Sequence, residues 1–232
     1  QLLFEPTDNL DINFIADYTS REENCCVGVT TERGPTANLA DALAGGPGRG
    51  IIPVADPDRR LGYANRSTEQ DIKDKGISAE VNWNTPWLNG ATLTSITAFR
   101  DWQSINAIDF DFSGADVLYR NADIDESSTS FESFSQEFRF TGSTDRLDWM
   151  VGAFYSDEYL LRNDQYVFGE DYEAYISAAT LSRIAGIVAQ GVAAGRYPPG
   201  SVVNQANPFA FVSEVTGLAQ GTNFVGVGAQ DR

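Results

Sequence analysis

Residues 131–158, FESFSQEFRFTGSTDRLDWMVGAFYSDE, constrain the fold of this chain more than any other stretch. Phe134, Phe138 and Phe140 fall on one parity, and Ser135, Glu137, Arg139 and Thr141 on the other. Successive strand side chains point to opposite faces, so this arm has one apolar and one charged face. The turn, Gly142 to Arg146, is polar, and Leu147, Trp149, Val151, Ala153 and Tyr155 then share a parity. Two such arms across so short a turn predict an antiparallel hairpin. A soluble sheet would turn the aromatics to a core and Glu137 to water. A membrane barrel turns the same pattern inside out, with aromatics to lipid and charges to a wet lumen. The remaining sequence has to decide between them.

Composition narrows the field. The 232 residues are 42% hydrophobic and 12% aromatic, a composition of ordered, β-leaning chains rather than disordered ones. A formal charge of −17 repels phosphate backbones, so nucleic acid is not an expected partner. With no histidine, Ser-His-Asp and Cys-His catalysis and His-bearing zinc sites are excluded. No apolar run is long enough for a membrane-spanning helix. The chain opens in mid-pattern and reads as an excerpt.

Taken in order, the periodicity predicts strand hairpins over about 2–22, 73–112 and 130–161, with long loops at 23–72, 113–129 and 162–232. Leu10, Ile12, Phe14, Ala16 and Tyr18 alternate with Asp11, Asn13 and Asp17, with Ile15 as an exception. Ile77, Ala79, Val81 and Trp83 do the same against Ser78, Glu80 and Asn82. In the next strand Leu93 and Phe99 compete with Ile96 and Ala98, leaving its register open. A helix is expected over about 171–194, opening under acidic residues and stopping at Gly195 before two prolines. Its apolar spacing (Leu181, Ile184, Ala185, Val188, Val192) suits a helix lying on a surface rather than one crossing a membrane.

Short and long connections alternate strictly. In an up-and-down sheet this puts every short turn on one rim and every long loop on the other, the asymmetry of outer-membrane barrels. Trp83, Trp87 and Trp149 crowd the short-turn rim, while Tyr18, Trp102, Tyr155 and Tyr159 lie eight to eleven residues up their strands. That spacing suits two aromatic girdles. The expected fold is all-β: an antiparallel up-and-down meander, a partial transmembrane β-barrel of about six strands with long extracellular loops and one loop helix.

Little of the sequence suggests catalysis. Asp109-Phe-Asp111-Phe-Ser113-Gly114 imitates the start of a calcium loop, but Arg120 stands where the bidentate Glu belongs. No metal, cofactor or catalytic residue is assigned. Cys25 and Cys26 are adjacent; in an oxidising compartment they are expected to form a vicinal disulfide, with free thiols or outside partners as alternatives.

The phrases LLFEPTDNLDINFIADYTSRE, LTSITAFRDW and FSQEFRFTGSTDRLDWMVGAFYSDE resemble the barrel strands of TonB-dependent outer-membrane receptors. The resemblance covers about half the chain and none of the long loops. It implies a 22-stranded barrel with an N-terminal plug, importing a scarce nutrient of the ferric siderophore, cobalamin or glycan class. It also implies outer-membrane lipid around the wall and a TonB-type energising protein acting through an N-terminal region not in this sequence. The alternatives are a passive porin-type barrel and a secreted carbohydrate-binding β-domain. On the receptor reading the long loops recognise the ligand, and Tyr166, Phe168, Tyr172 and Tyr175 offer stacking surface for it.

Overall fold

A computed structural model describes residues 1–196, residue 199 and residues 223–231; for 180–184 and 223–231 only the backbone is described. Six strands make the body of the protein: β1 (Leu2–Thr7), β2 (Leu10–Asn24), β3 (Glu69–Asn84), β4 (Thr92–Asn106), β7 (Ser127–Thr144) and β8 (Leu147–Phe168). They pair antiparallel in sequence order, with the short β5 (Ile108–Asp109) and β6 (Leu118–Arg120) attached beside the far end of β8. The fold is therefore a predominantly antiparallel β meander, and among the described residues its strands form one open sheet.

Register assigns every side chain to a face, because residues paired across a ladder stand on the same side. One face is built in rows. Leu10, Trp83, Leu93, Phe140 and Val151 form the first; Ile12, Val81, Ser95, Phe138 and Ala153 the second; Phe14, Ala79, Thr97, Gln136 and Tyr155 the third. Ala16, Ile77, Phe99, Phe134 and Asp157 follow, and then the row Tyr18, Lys75, Asp101, Glu132 and Tyr159 closes the band. This face is not covered: Val151 is 68% exposed, Ile77 58% and Phe138 47%. The open register of β4 is settled with Leu93 and Phe99 on the apolar side. From Trp149 to Tyr159 is ten residues, roughly 33 Å of strand. At the usual tilt of barrel strands that spans a band of about 25 Å.

The opposite face carries Asp11, Asn13 and Asp17 of β2, Glu80 and Asn82 of β3, Thr94 and Arg100 of β4, and Glu137 and Arg139 of β7. Arg100 clamps three strands, reaching Asp74 Oδ1 at 2.5 Å and both oxygens of Asp17 at 3.1 Å. Its path crosses Gly76, where an added Cβ would sit 3.0 Å from Arg100 Nη2 and 2.8 Å from Asp17 Oδ1. Asn82 donates to Asp11 and Glu80 and accepts from Thr94. Two departures interrupt the pattern. Trp102, expected in a girdle, pairs with Asp74 and Phe131 and so lies on the polar side. Met150 and Phe154 of β8 are exposed on that side too, so this strand is apolar on both faces.

The turns between strands are short at one rim, where β7 and β8 need only Asp145 and Arg146 between them. The other rim carries residues 25–68, 107–126 and 169–196. Strands extend further toward this rim than the alternation predicts. β3 begins at Glu69 rather than 73, β7 at Ser127 rather than 130, and β8 runs to Phe168 rather than 161. Beyond the apolar band both faces are wet, so the period of two fades while the backbone ladder continues. Residues 107–112, expected to prolong β4, are instead a bend and the short β5. The expected loop of 162–232 also contains strand β9 (Asn223–Asp231), antiparallel to β8.

Among the described residues two α-helices occupy the loop rim. α1 (Ala37–Leu43) lies in a run of small residues expected to be irregular. α2 (Tyr172–Ala193) falls within one residue of the expected 171–194. It ends as its sequence suggests: Gly195 takes φ 69°, Gly195 N donates to Val192 O and Arg196 N to Gly191 O. α2 packs against α1 and buries Val188. The side chains of Leu181 and Ile184, part of its expected apolar stripe, lie outside the described residues, as do most of residues 197–222. No helix is long and apolar enough to cross a membrane among those described.

Candidate functional site

Among the described residues most buried apolar side chains sit in the loop cluster, where Ala37, Ala40, Ala107, Ala115, Val117 and Val188 are buried; Ile72 of β3 and Ala91 in the β3–β4 turn are the others. The cluster is held by polar knots, each centred on a carboxylate. Asp41 of α1 accepts from the amides of Gly50 and Ile51 at 3.0 and 2.9 Å and from Arg33 Nη2 at 2.7 Å. The amides of Gly48 and Ile51, then the Arg33 guanidinium, hold its carboxyl well below the usual carboxylate range. Arg33 Nη1 donates to the carbonyls of Ile51 and Ile52.

Asp116 ties three segments together. Arg66 forks onto it through Nε and Nη2 at 2.8 and 2.5 Å, and the Glu170 amide donates to it at 3.0 Å. The Arg66 pair is the main reason its carboxyl is held low. The guanidinium also lies 4.2 Å over the Tyr119 ring. Arg120, at the place of the missing calcium-loop glutamate, is itself buried and pairs with Asp164 and with Asn106. Asp111 is saturated by Ser113 N and Oγ and by the amides of Val117 and Leu118. Donors from the chain therefore fill both oxygens of Asp111, the second carboxylate of the calcium motif, and no group of three metal-ligating side chains occurs among the described residues.

Asp109 is different. It is 0% exposed; one oxygen accepts from Asn65 N at 2.8 Å, and the other, Oδ1, has no partner. Burial, helped by the charge of Asp111, pushes its carboxyl up to about 6.

A cavity of about 400 Å³ opens between the 28–37 run, the 111–117 run and α2. Phe112 forms part of its wall with a backbone φ of 48°, a left-handed conformation a bulky residue rarely adopts. Its ring rests on Gly28, where a Cβ would come within 2.8 Å of the ring. Tyr175 closes another side, its hydroxyl 3.2 Å from Thr36 Oγ1.

Comparison with protein-family models, curated proteins and solved structures finds no match in any of the three.

The four aromatic residues expected to form a stacking surface do not act as a set. Of them, only Tyr175 lines the cavity. Tyr166 and Phe168 belong to β8 rather than to a loop, because their polar neighbours 162–165 still pair with β7 and β9. Tyr166 packs on Phe110 with centroids 4.9 Å apart, and Phe168 on Tyr172 at 4.1 Å. Burial raises the Tyr172 phenol. Cys25 and Cys26 are joined to each other where β2 leaves the sheet, and the Cys25 amide donates to Thr68 O. The sequence reading missed Phe112 and Asp109 as site residues. The Asp-x-Asp-x-Ser-Gly phrase was the available signal, and it marked the turn that carries both.

Proposed function

We propose that this chain is a stretch of the wall, with its extracellular loops, of an outer-membrane TonB-dependent receptor that imports a scarce nutrient. One observation carries the reading: an uncovered, mainly apolar face four rows tall, closed by a fifth row of charged and tyrosine side chains, runs across five neighbouring strands and is backed by a hydrogen-bonded polar face. In water such a surface is a liability, but against lipid it is the lowest-energy arrangement. The polar residues on the apolar face are consistent with this. Gln136 accepts from Thr97 at 2.6 Å and donates to Ser95 Oγ, Ile96 O and Glu137 O, so its amide needs no water. A secreted carbohydrate-binding domain would bury these aromatics between two sheets.

The receptor reading is favoured over a passive porin by the strand phrases and by loops that pack into a cored cluster. A wall segment of this kind does no chemistry, so no enzymatic role is assigned to it. The ligand would be of the ferric siderophore, cobalamin or glycan class, and energy would come from a TonB-type protein acting on a plug outside this sequence. Nitroxide labels in the full-length protein in bilayers test the wall. Labels at Phe138, Phe140, Trp149 and Val151 should collide with lipid-soluble oxygen, and labels at Glu137 and Arg139 with an aqueous nickel chelate. The reverse pattern would overturn the assignment of faces. Deleting residues 170–194 from the full-length receptor should abolish ligand uptake while the barrel still inserts.

A further inference from the structure

The cavity beneath Phe112 points to a ligand class. Its lining includes the carboxylates Glu32 and Asp111, and no lysine or arginine. The nearby Arg33 is turned away, its donors engaged by Asp41 and two carbonyls. An anion would meet negative charge without a counter-charge, in a site partly withdrawn from water. A cationic amine would find little either: Asp111 is saturated by four donors, and a single exposed carboxylate at Glu32 contributes roughly 0–1 kcal/mol to such a pair. A purely apolar ligand would withdraw the hydroxyls of Thr30 and Thr31, which line the cavity, from water without offering them a partner.

We propose that this cavity binds a neutral, hydroxyl-rich ligand of one or two sugar rings, seated against the Phe112 and Tyr175 rings. A volume of about 400 Å³ lies at the lower end of the range for small-molecule sites. Sugars present both an apolar C–H face for an aromatic ring and a rim of donors and acceptors. The threonine hydroxyls can donate or accept, and Glu32 adds an acceptor. The left-handed backbone at Phe112 supports a functional role, since strain of this kind costs about 1–3 kcal/mol and persists where the surroundings enforce it. Here Gly28 leaves the space that the ring occupies.

The inference rests on the loop rim being the recognition surface of the proposed receptor, but the two can fail separately. Binding is measured on the full-length protein in detergent and needs neither transport nor a lipid-facing wall. The probes are maltose, cellobiose, lactose and xylobiose as neutral sugars, ferric citrate as an anion and spermidine as a polyamine, titrated calorimetrically. At least one neutral sugar should bind saturably. Phe112→Ala should weaken it at least tenfold and Tyr175→Phe several-fold, the second being a change that leaves the ring packing in place. Absence of saturable binding across the four sugars would overturn the proposal. So would sugar binding that survives both Phe112→Ala and Tyr175→Phe, or spermidine binding that Glu32→Gln abolishes. Preferential binding of ferric citrate would overturn the charge argument outright.

Discussion

Asp109 makes the stability of the loop cluster depend on pH, and Asp109→Asn isolates the effect. The carboxyl is fully buried with one oxygen unpartnered, and its pKa is raised from 3.8 to about 6. A raised folded-state pKa means that the folded cluster holds the proton more tightly than the opened one. Its stabilising contribution is therefore complete below pH 3.8 and is lost as pH rises through 6. The shift corresponds to about 3 kcal/mol in total, of which about 2 kcal/mol disappears between pH 4.5 and 7.5. That is a roughly 30-fold rise in the fraction of time the cluster is open. Hydrogen exchange of peptides covering residues 62–68 and 108–120 in the full-length protein reads this directly, once the intrinsic pH dependence of exchange is removed. The wild type should lose protection over that interval. Asp109→Asn has no charge to desolvate and still offers an acceptor to the Asn65 amide, so its protection should be nearly flat. A flat profile in the wild type, or an undiminished slope in the variant, would refute the reasoning.

Three further outcomes are expected. Gly76→Val should force Arg100 away from Asp17 and destabilise the sheet by about 1–3 kcal/mol, read as a lower unfolding midpoint in detergent. Asp116→Ala removes the acceptor shared by Arg66 and the Glu170 amide; it should raise proteolytic cleavage within residues 25–68 while leaving exchange in β3 and β4 unchanged. The isolated 232-residue chain should not give a monodisperse, cooperatively unfolding monomer in water without detergent, because its apolar face stays bare. Sedimentation together with thermal melting decides that point.

The strands were legible where one face is apolar and the other polar. Leu10 to Tyr18, Ile77 to Trp83 and Phe134 to Phe140 announce both element and face, because each pairs a repeating apolar parity with charged neighbours. The signal stopped where the environment became the same on both sides. Residues 69–72 and 162–168 continue their strands through backbone pairing alone, and their charged side chains read as loop. That misreading put Tyr166 and Phe168 into a loop, when both are held by the ladder. Helix α2 was visible from its caps; the seven-residue α1 was hidden among glycines and alanines. The cavity was barely legible: the Asp-x-Asp-x-Ser-Gly phrase marks the turn that holds Phe112, but no motif or period brings Gly28, 84 positions earlier, under its ring.

β8 runs 22 residues without a break, from the rim of short turns to the foot of α2. At about 3.3 Å per residue that is a rod of roughly 70 Å. Such a ladder cannot flex locally without giving up hydrogen bonds, so the far end of β8 works as a fixed mast. The 25–68 segment, by contrast, is moored to its neighbours by separate points, among them Asn65 on Asp109 and Arg66 on Asp116. The rim is thus mechanically divided: the mast resists bending as one unit, whereas the moored segment is held by ties that can be broken one at a time.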